Sequence, residues 1–196
     1  MELSEIVRQP IYVFRRILYK LYEITHPDEP WISPKAVTFC ARHLNKEQIG
    51  LEWGSGRSTA WFGARLKSLL SIEFDEAWHS RVVTVLQNQG LKNVECRYIF
   101  LEHSIDEPTK SEYENPPAYV RIAEEFEDKS LDFVVVDGHY RQACILAVLK
   151  KIKSGGLLLV DNTNWLPIEK WGVPDNWPVV HQSSNVMTQT TIWQKP

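Results

Sequence analysis

The chain contains few cysteines and no long apolar run. Its three cysteines, Cys40, Cys96 and Cys144, are far apart and form no CxxC pair. The sequence therefore predicts neither a disulfide framework nor a thiolate zinc site, and it fits a reducing cytosol. No apolar run approaches the roughly 18 to 20 residues that span a bilayer, and the acidic first residues are unlike the basic start of a signal peptide. We expect a cytoplasmic protein with no transmembrane segment.

The chain also lacks the positive charge that a general nucleic-acid binder carries. Its formal net charge is -3 and its pI is about 6.1, so we expect no nucleic-acid partner. No Gly-Lys pair occurs, which argues against a P-loop and ATP hydrolysis. The 196 residues, 43% of them hydrophobic, suffice for one domain with its own core.

Short apolar runs alternate with helical patterns from Ile49 onward. This alternation predicts parallel strands joined by crossover helices. The predicted strands are Ile49–Trp53, Leu69–Glu73, Val94–Phe100, Leu131–Asp137, Gly156–Asp161, Val179–His181 and Thr190–Trp193. The predicted helices are Ser58–Leu66, Glu76–Gln89, Pro117–Phe126 and Arg141–Lys151, the last of them ended by Ser154, Gly155 and Gly156.

Two further helices are predicted before this alternating part. Apolar residues recur at helical spacing from Ile11 to Tyr22, and Ser33 followed by Pro34 predicts an N-cap and the first residue of a second helix, which runs to about Leu44. We therefore divide the chain into an N-terminal helical lid, residues 1–46, and a main domain, residues 47–196. The basic residues of the first helix form a solvated face or make a peripheral contact with anionic lipid or an anionic acceptor.

A glycine-containing turn follows the first predicted strand. Gly54 and Gly56 allow the backbone to turn sharply and to approach a ligand closely before the next helix begins. Glu73 ends the following strand about twenty residues later, where an acid can bind a ribose diol. This order of elements predicts a nucleotide-type site, and the alternative is a tight turn with a capped helix.

The residues around the turn indicate which kind of nucleotide-type site this is. A dinucleotide site needs a third glycine where this chain has Thr59, and it has no reason to carry an acid at Glu52. The segment resembles the first motif of class I S-adenosylmethionine-dependent methyltransferases, which is an acid followed by three glycines at alternate positions. Glu52, Gly54 and Gly56 match this motif, and Ser58 replaces its last glycine. The resemblance extends over about residues 49–193.

This resemblance implies a Rossmann-like α/β three-layer sandwich whose seven-stranded sheet is mainly parallel, with an antiparallel last strand. It implies S-adenosylmethionine as cofactor, with its methionine part on the turn and its ribose hydroxyls on Glu73. The residues expected to bind the cofactor are Glu52, Gly54, Ser55, Gly56, Ser58, Glu73 and Phe74. Either Phe74 or Trp78 would flank the adenine, although core packing explains Trp78 equally well.

Polar residues also end two later strands. Asp137 ends a buried strand, and Asp161 ends the next one and is followed by Asn162. The three resemble the divalent-metal ligands of the catechol O-methyltransferase group, and hard oxygen ligands suit Mg²⁺. The alternative for Asp161 and Asn162 is turn chemistry, in which the side chains bond their own backbone. Methyl transfer does not itself demand a metal.

In the catechol O-methyltransferase group, a lysine that acts as a base follows the first acid. This chain has no lysine at that place and has His139 and Arg141 instead. Arg141 cannot act as a base, whereas His139 can, so we predict Asp137 and His139 as catalytic residues. A surface histidine without a role is the alternative. The expected reaction is methyl transfer to a small molecule, on oxygen rather than nitrogen. A non-catalytic binding or scaffold protein and a methyltransferase acting on protein or polysaccharide are the competing hypotheses.

Overall fold

The computed structural model describes residues 10–103, 109–185 and 187–196. Its helices are α1 (Pro10–Thr25), α2 (Pro34–His43), α3 (Arg57–Gly63), α4 (Glu76–Asn88), α5 (Ala118–Arg121) and α6 (Arg141–Val148). Its strands are β1 (Ile49–Trp53), β2 (Ser68–Glu73), β3 (Val94–Tyr98), β4 (Leu131–Val136), β5 (Ile152–Val160), β6 (Val179–Ser184) and β7 (Gln189–Gln194). Short 3-10 turns span Ile122–Glu125, Thr163–Trp165 and Ile168–Trp171.

The seven strands form one sheet in the order β3-β2-β1-β4-β5-β7-β6. Strands β1 to β5 pair in parallel, and β7 runs antiparallel to both of its neighbours, β5 and β6. Trp53 at the end of β1 is level with Ile72 in β2 and with Val136 in β4. The predicted sheet with its antiparallel last strand is confirmed, and the carboxyl ends of β1, β2 and β4 meet at one edge.

Helices cover both faces of the sheet, because successive side chains of a strand point to opposite faces. In β4, Val134 and Val136 pack with the buried side chains of α6, whereas Phe133 and Val135 pack with those of α2 and α3. The strand is buried on both faces and is therefore almost continuously apolar. The three-layer sandwich predicted from the sequence is confirmed.

Two predicted helices have different bounds in the structure. Helix α6 ends at Val148, and the glycines that were expected to end it lie inside β5. There the pairing of β4 with β5 shifts register, Gly155 has a positive φ of 80°, and its N–H donates to the carbonyl of Lys195 at 2.7 Å. These glycines form an irregularity of the strand rather than a helix end. The helix predicted from Pro117 to Phe126 is divided into α5 and a 3-10 turn.

The segment before β1 packs against the opposite end of the chain. Ala36, Val37 and Cys40 of α2 are buried in the same core as the sheet. Ser33 precedes α2 as predicted, but its side chain does not cap the helix and instead bonds the hydroxyl of Ser183 at 2.6 Å. Among the described residues, no helix is long and apolar enough to cross a bilayer. The division at residue 46 stays a prediction.

Candidate functional site

A cavity of about 560 Å³ opens at the carboxyl ends of β1, β2 and β4. Its volume lies in the range of about 300–1,000 Å³ that is usual for ligand pockets. It is lined by residues 54–58 after β1, 73–75, 77, 78 and 81 around the start of α4, 137–139 and 141 after β4, and Trp31. The cavity thus brings together the predicted cofactor residues Gly54, Ser55, Gly56, Ser58, Glu73 and Phe74. It also contains both predicted catalytic residues, Asp137 and His139.

The floor of the cavity consists of two turns that need glycine. Gly54 has a φ of 94°, and a Cβ atom there would lie 2.7 Å from the carbonyl carbon of Asp137. A Cβ atom on Gly138 would lie 2.9 Å from the backbone nitrogen of Gly54 and 2.0 Å from the hydroxyl of Tyr119. The two turns are therefore in direct backbone contact, which side chains would prevent.

Glu52 lies beneath the first turn and does not line the cavity. Its Oε2 accepts hydrogen bonds from Thr59 at 2.7 Å and Ser71 at 2.5 Å, and the Thr59 hydroxyl also accepts the N–H of Gly56. Within the described part of the chain, its buried Oε1 has no hydrogen-bond partner. Burial raises the pKa of this carboxyl to about 7, although the surrounding hydroxyls oppose the shift. Glu52 thus holds the turn in place from below.

Glu73 is held with one oxygen against the backbone. Its Oε1 accepts the N–H groups of Phe74 and Asp75, both at 2.9 Å, and only 3% of the residue is exposed. Burial raises the pKa of Glu73, whereas these two N–H groups lower it. Two hydrogen bonds fix the carboxylate at the cavity wall, in an orientation suited to accept hydroxyl donors.

Aromatic side chains form two walls of the cavity. The ring of Phe74 lies 4.1 Å from that of His139, between centroids. Trp78 stacks on Trp31 at 6.2 Å and donates from its indole nitrogen to the carbonyl of Ser55 at 2.8 Å. Trp78 was expected either to flank the adenine or to pack in the core. It lines the cavity, which agrees with the first expectation.

Three arginines line the cavity, Arg57, Arg81 and Arg141, and none of them was predicted as a site residue. The guanidinium carbon of Arg57 lies 4.6 Å from the centre of the Trp31 ring, and that of Arg81 lies 5.9 Å from the centre of the Trp78 ring. The Nη1 atom of Arg57 is buried and has no hydrogen-bond partner among the described residues. Arg57 stands inside the glycine motif, so its position was a signal. The contact of Arg57 with Trp31 could not be predicted, because Trp31 is distant in sequence.

Arg141 lies among the residues that were predicted to bind a metal ion. Its guanidinium contacts the Asp137 carboxylate at 3.1 Å and donates to the Asn162 side chain at 2.6 Å and to the backbone carbonyl of Asp161. The Asp161 carboxylate instead accepts from Thr190 at 2.5 Å. No group of three or more His, Cys, Asp or Glu in the described ranges could hold a metal. The prediction of Asp137, Asp161 and Asn162 as Mg²⁺ ligands is not supported, because a guanidinium supplies the positive charge.

Burial raises the pKa values of both acids in this cluster. The pKa of Asp161 rises to about 7, and the nearby charge of Asp137 adds to the effect of burial. The pKa of Asp137 is also raised by burial, and Arg141 opposes that shift.

Two residues beside this cluster have an unusual backbone conformation. Tyr140 and Asn162 are left-handed, with φ of 51° and 60°. Such conformations concentrate at functional sites, where the surrounding structure enforces them.

Comparison with known proteins shows similarity in structure only. No family model matches the sequence, and no curated protein matches it. An rRNA methylase from Streptococcus thermophilus is 14% identical, has a TM-score of 0.59, and covers 85% of this chain and 99% of its own. A candidate methyltransferase from Streptococcus mutans, solved with S-adenosylhomocysteine (SAH), is 12% identical with a TM-score of 0.59, over 84% of this chain and 98% of its own.

A third similar structure has a different description. A precorrin 8W decarboxylase from Methanobacterium thermoautotrophicum is 16% identical with a TM-score of 0.57, over 87% of this chain and 95% of its own. At such low identity these comparisons establish the fold. The chain shares the Rossmann-like fold of these structures, and the order of its strands and helices predicted that fold.

Proposed function

We propose that the chain is an S-adenosylmethionine-dependent methyltransferase that acts on a small molecule. The observation that carries this proposal is the position of Glu73 beside the two glycine turns, in one cavity of about 560 Å³. An open backbone cradle and a fixed carboxylate are what a nucleoside with a diol requires. The SAH bound to the structural neighbour from Streptococcus mutans is consistent with this choice of cofactor.

The side chains around the cavity fit the other parts of that cofactor. Its methionine part carries a carboxylate, and the unpaired Nη1 of Arg57 is a donor for such a group. Gly54 and Gly138 let the two turns meet in backbone contact at the cavity floor. Phe74 and Trp78 offer apolar surfaces for adenine. When bound, the cofactor would supply a methyl group on a positively charged sulfur, which is already an activated donor.

The residues after β4 would serve the methyl acceptor. A hydroxyl acceptor must lose its proton when it is methylated, and His139 lines the cavity with a side chain that can accept a proton near neutral pH. Asp137 and Arg141 form an ion pair beside it and would orient the acceptor. We therefore propose O-methylation without a metal, since Arg141 already neutralises the acid that would have bound one.

RNA is the competing acceptor, because two structural neighbours are described as known or candidate rRNA methylases. The net charge of -3 disfavours a partner that is a polyanion. A binding protein with the same fold would take up the cofactor without turnover, and this separates it from an enzyme.

Calorimetric titration with S-adenosylmethionine and SAH, with and without Mg²⁺, tests the cofactor. We expect saturable binding of both ligands that Mg²⁺ leaves unchanged. Glu73→Ala should weaken binding at least about tenfold, because it removes the acceptor for the ribose hydroxyls. Glu76→Ala is the matched control, since Glu76 is exposed outside the cavity and should bind as the unaltered chain does. Failure of the unaltered chain to bind either ligand would disprove the cofactor assignment.

His139→Asn tests the catalytic assignment. We expect unchanged SAH binding and a fall in kcat of about 10²–10⁴-fold with a hydroxyl acceptor found by screening small molecules and RNA, because a general base contributes that much. The pH dependence of turnover should also lose its histidine limb. Full activity of the variant would exclude His139 as the base, and methylation of RNA alone would disprove the small-molecule proposal.

A further inference from the structure

Helix α1 carries an apolar stripe that faces away from the rest of the molecule. Its side chains are Phe14, Ile17, Leu18, Leu21 and Ile24, which are 61%, 54%, 48%, 53% and 73% exposed. Positions separated by three, four and seven residues share one face of a helix. Single exposed apolar residues are ordinary, whereas a contiguous row of five indicates an interaction surface.

The opposite side of α1 attaches the helix to the protein. Tyr19 is only 7% exposed. Tyr22 stacks on His26 at 4.2 Å and donates a hydrogen bond to the carboxylate of Glu29. The contacts of Tyr22 are with the turn that follows α1, so the burial of Tyr19 sets the rotation of the helix about its axis. The apolar stripe could turn toward the sheet only if Tyr19 became exposed.

The charge of this segment differs from that of the whole chain. Helix α1 contains three basic side chains, Arg15, Arg16 and Lys20, and one acidic side chain, Glu23, although the chain as a whole has a net charge of -3. Arg16 and Lys20 are exposed and lie along one edge of the apolar stripe at helical spacing. Lys20 pairs with Glu23 on the surface, where such an ion pair is weak. The outer face of α1 is thus apolar and cationic at once.

We propose that α1 binds to the surface of an anionic membrane. The apolar stripe would enter the boundary between headgroups and acyl chains, and Arg16 and Lys20 would reach the lipid phosphates. A second copy of the chain fits less well, because a two-fold contact between equal surfaces would place one basic helix against another. The proposal concerns a surface outside the cavity and does not depend on the methyltransferase assignment.

Flotation of the purified chain with lipid vesicles tests this proposal. We expect binding to vesicles of phosphatidylcholine mixed with phosphatidylglycerol, little binding to phosphatidylcholine alone, and a clear loss at high salt. Leu18→Glu combined with Leu21→Glu should lower vesicle binding at least about tenfold, because it places two charges in the inserted stripe. Lys20→Glu should weaken binding less.

Val85→Glu is the matched control, because Val85 is an exposed apolar residue, 43% accessible, on a different helix. It should bind vesicles as the unaltered chain does. The thermal unfolding transition of the Leu18 and Leu21 variant should be unchanged, which shows that the chain is folded without relying on the proposed function. SAH titration of the same variant keeps a loss of membrane binding separate from a loss of cofactor binding. Equal binding to neutral vesicles, or full binding by that variant, would overturn the proposal. A dimer in light scattering that the variant abolishes would assign the stripe to a second copy instead.

Discussion

At the scale of single residues, the buried carboxyl of Glu52 makes the stability of the folded chain depend on pH. The folded chain raises the pKa of this carboxyl from 4.5 to about 7 by burial. The folded state therefore retains a proton that the unfolded state releases. The associated stability is fully present below pH 4.5 and is lost as pH rises to about 7, after which it stays constant.

Replacement of Glu52 by Gln should remove this pH dependence. The amide keeps an oxygen that can accept from Ser71 and Thr59 and carries no charge to bury. We expect equal melting temperatures for the two proteins at about pH 5. At about pH 8 the free energy of unfolding of the variant should be larger by on the order of 2–3 kcal/mol. Thermal unfolding of the ligand-free chain at both pH values measures this. A variant that is less stable at the higher pH would show that the ionised Glu52 is favoured in the fold.

Residues of the candidate site differ in how far sequence could identify them. Gly54 and Gly56 were predicted because they follow a strand, and Glu73 because it ends one; the strands themselves are predicted from local patterns. The position of Arg141 between Asp137 and Asn162 was not, since it depends on contacts between residues about twenty positions apart. A basic side chain and a metal ion satisfy the same acids, and sequence alone does not distinguish them.

At the scale of elements, the contact between the β1 and β4 turns determines the shape of the cavity floor. The N–H of Gly54 donates to the carbonyl of Ile72, and that of Asp137 donates to the carbonyl of Trp53, both at 2.9 Å. Both turns are thereby continuations of the sheet. No side chain can be inserted between them, because their backbones are in contact at Gly54 and Gly138.

Gly138→Ala should therefore disrupt the site. The added Cβ would lie 2.0 Å from the Tyr119 hydroxyl and 2.9 Å from the nitrogen of Gly54, and the second contact cannot be relieved by a rotamer change. We expect a loss of stability of about 1–3 kcal/mol and weaker SAH binding. Gly56→Ala is the control for stability, since its Cβ would meet only the Ser58 hydroxyl, at 3.9 Å. Denaturant unfolding measures both, and an unaffected Gly138 variant would mean that the two turns can separate freely.

The elements themselves were predicted well where hydrophobic periodicity is strong. Strand β4 is recognisable because it is buried on both faces and therefore continuously apolar. The start of β5 was not, because glycines that normally end helices here lie in an irregular strand next to Lys195. Pairing with a residue near the far end of the chain overrides the local preference, and no local pattern contains that information.

At the scale of the whole molecule, the two ends of the chain stabilise each other. The backbone N–H of Ser33 donates to the Thr190 hydroxyl at 3.1 Å, in a pairing of residues that are 157 positions apart. Ile32, Val37 and the side chains around them share one core with Leu157, Leu159 and Ile192 of the sheet. The segment before residue 47 therefore contributes to the core of the domain as well as to the cavity wall at Trp31.

Two truncations separate these contributions. Removal of residues 1–25 deletes α1. Where the structure describes them, most side chains of α1 other than Tyr19 are exposed, so we expect a cooperative unfolding transition with a modest loss of stability. Removal of residues 1–46 also deletes Ile32, Val37 and Leu44, and each of these buried side chains stabilises the fold by about 1.5–3 kcal/mol. Their sum is comparable with the total stability of a small domain, about 5–15 kcal/mol.

We therefore expect the longer truncation to lose its cooperative thermal transition, and the shorter one to keep both this transition and SAH binding while losing vesicle binding. Calorimetry and flotation on the two truncated chains measure these outcomes. A stable, cofactor-binding chain that starts at residue 47 would show that the first 46 residues are a separable lid, because the sheet would then not need α2 to cover Leu157 and Leu159. If the chain without residues 1–25 also unfolded, the buried side chain of Tyr19 would be necessary for stability. Helix α1 would then belong to the core of the domain despite its exposed stripe.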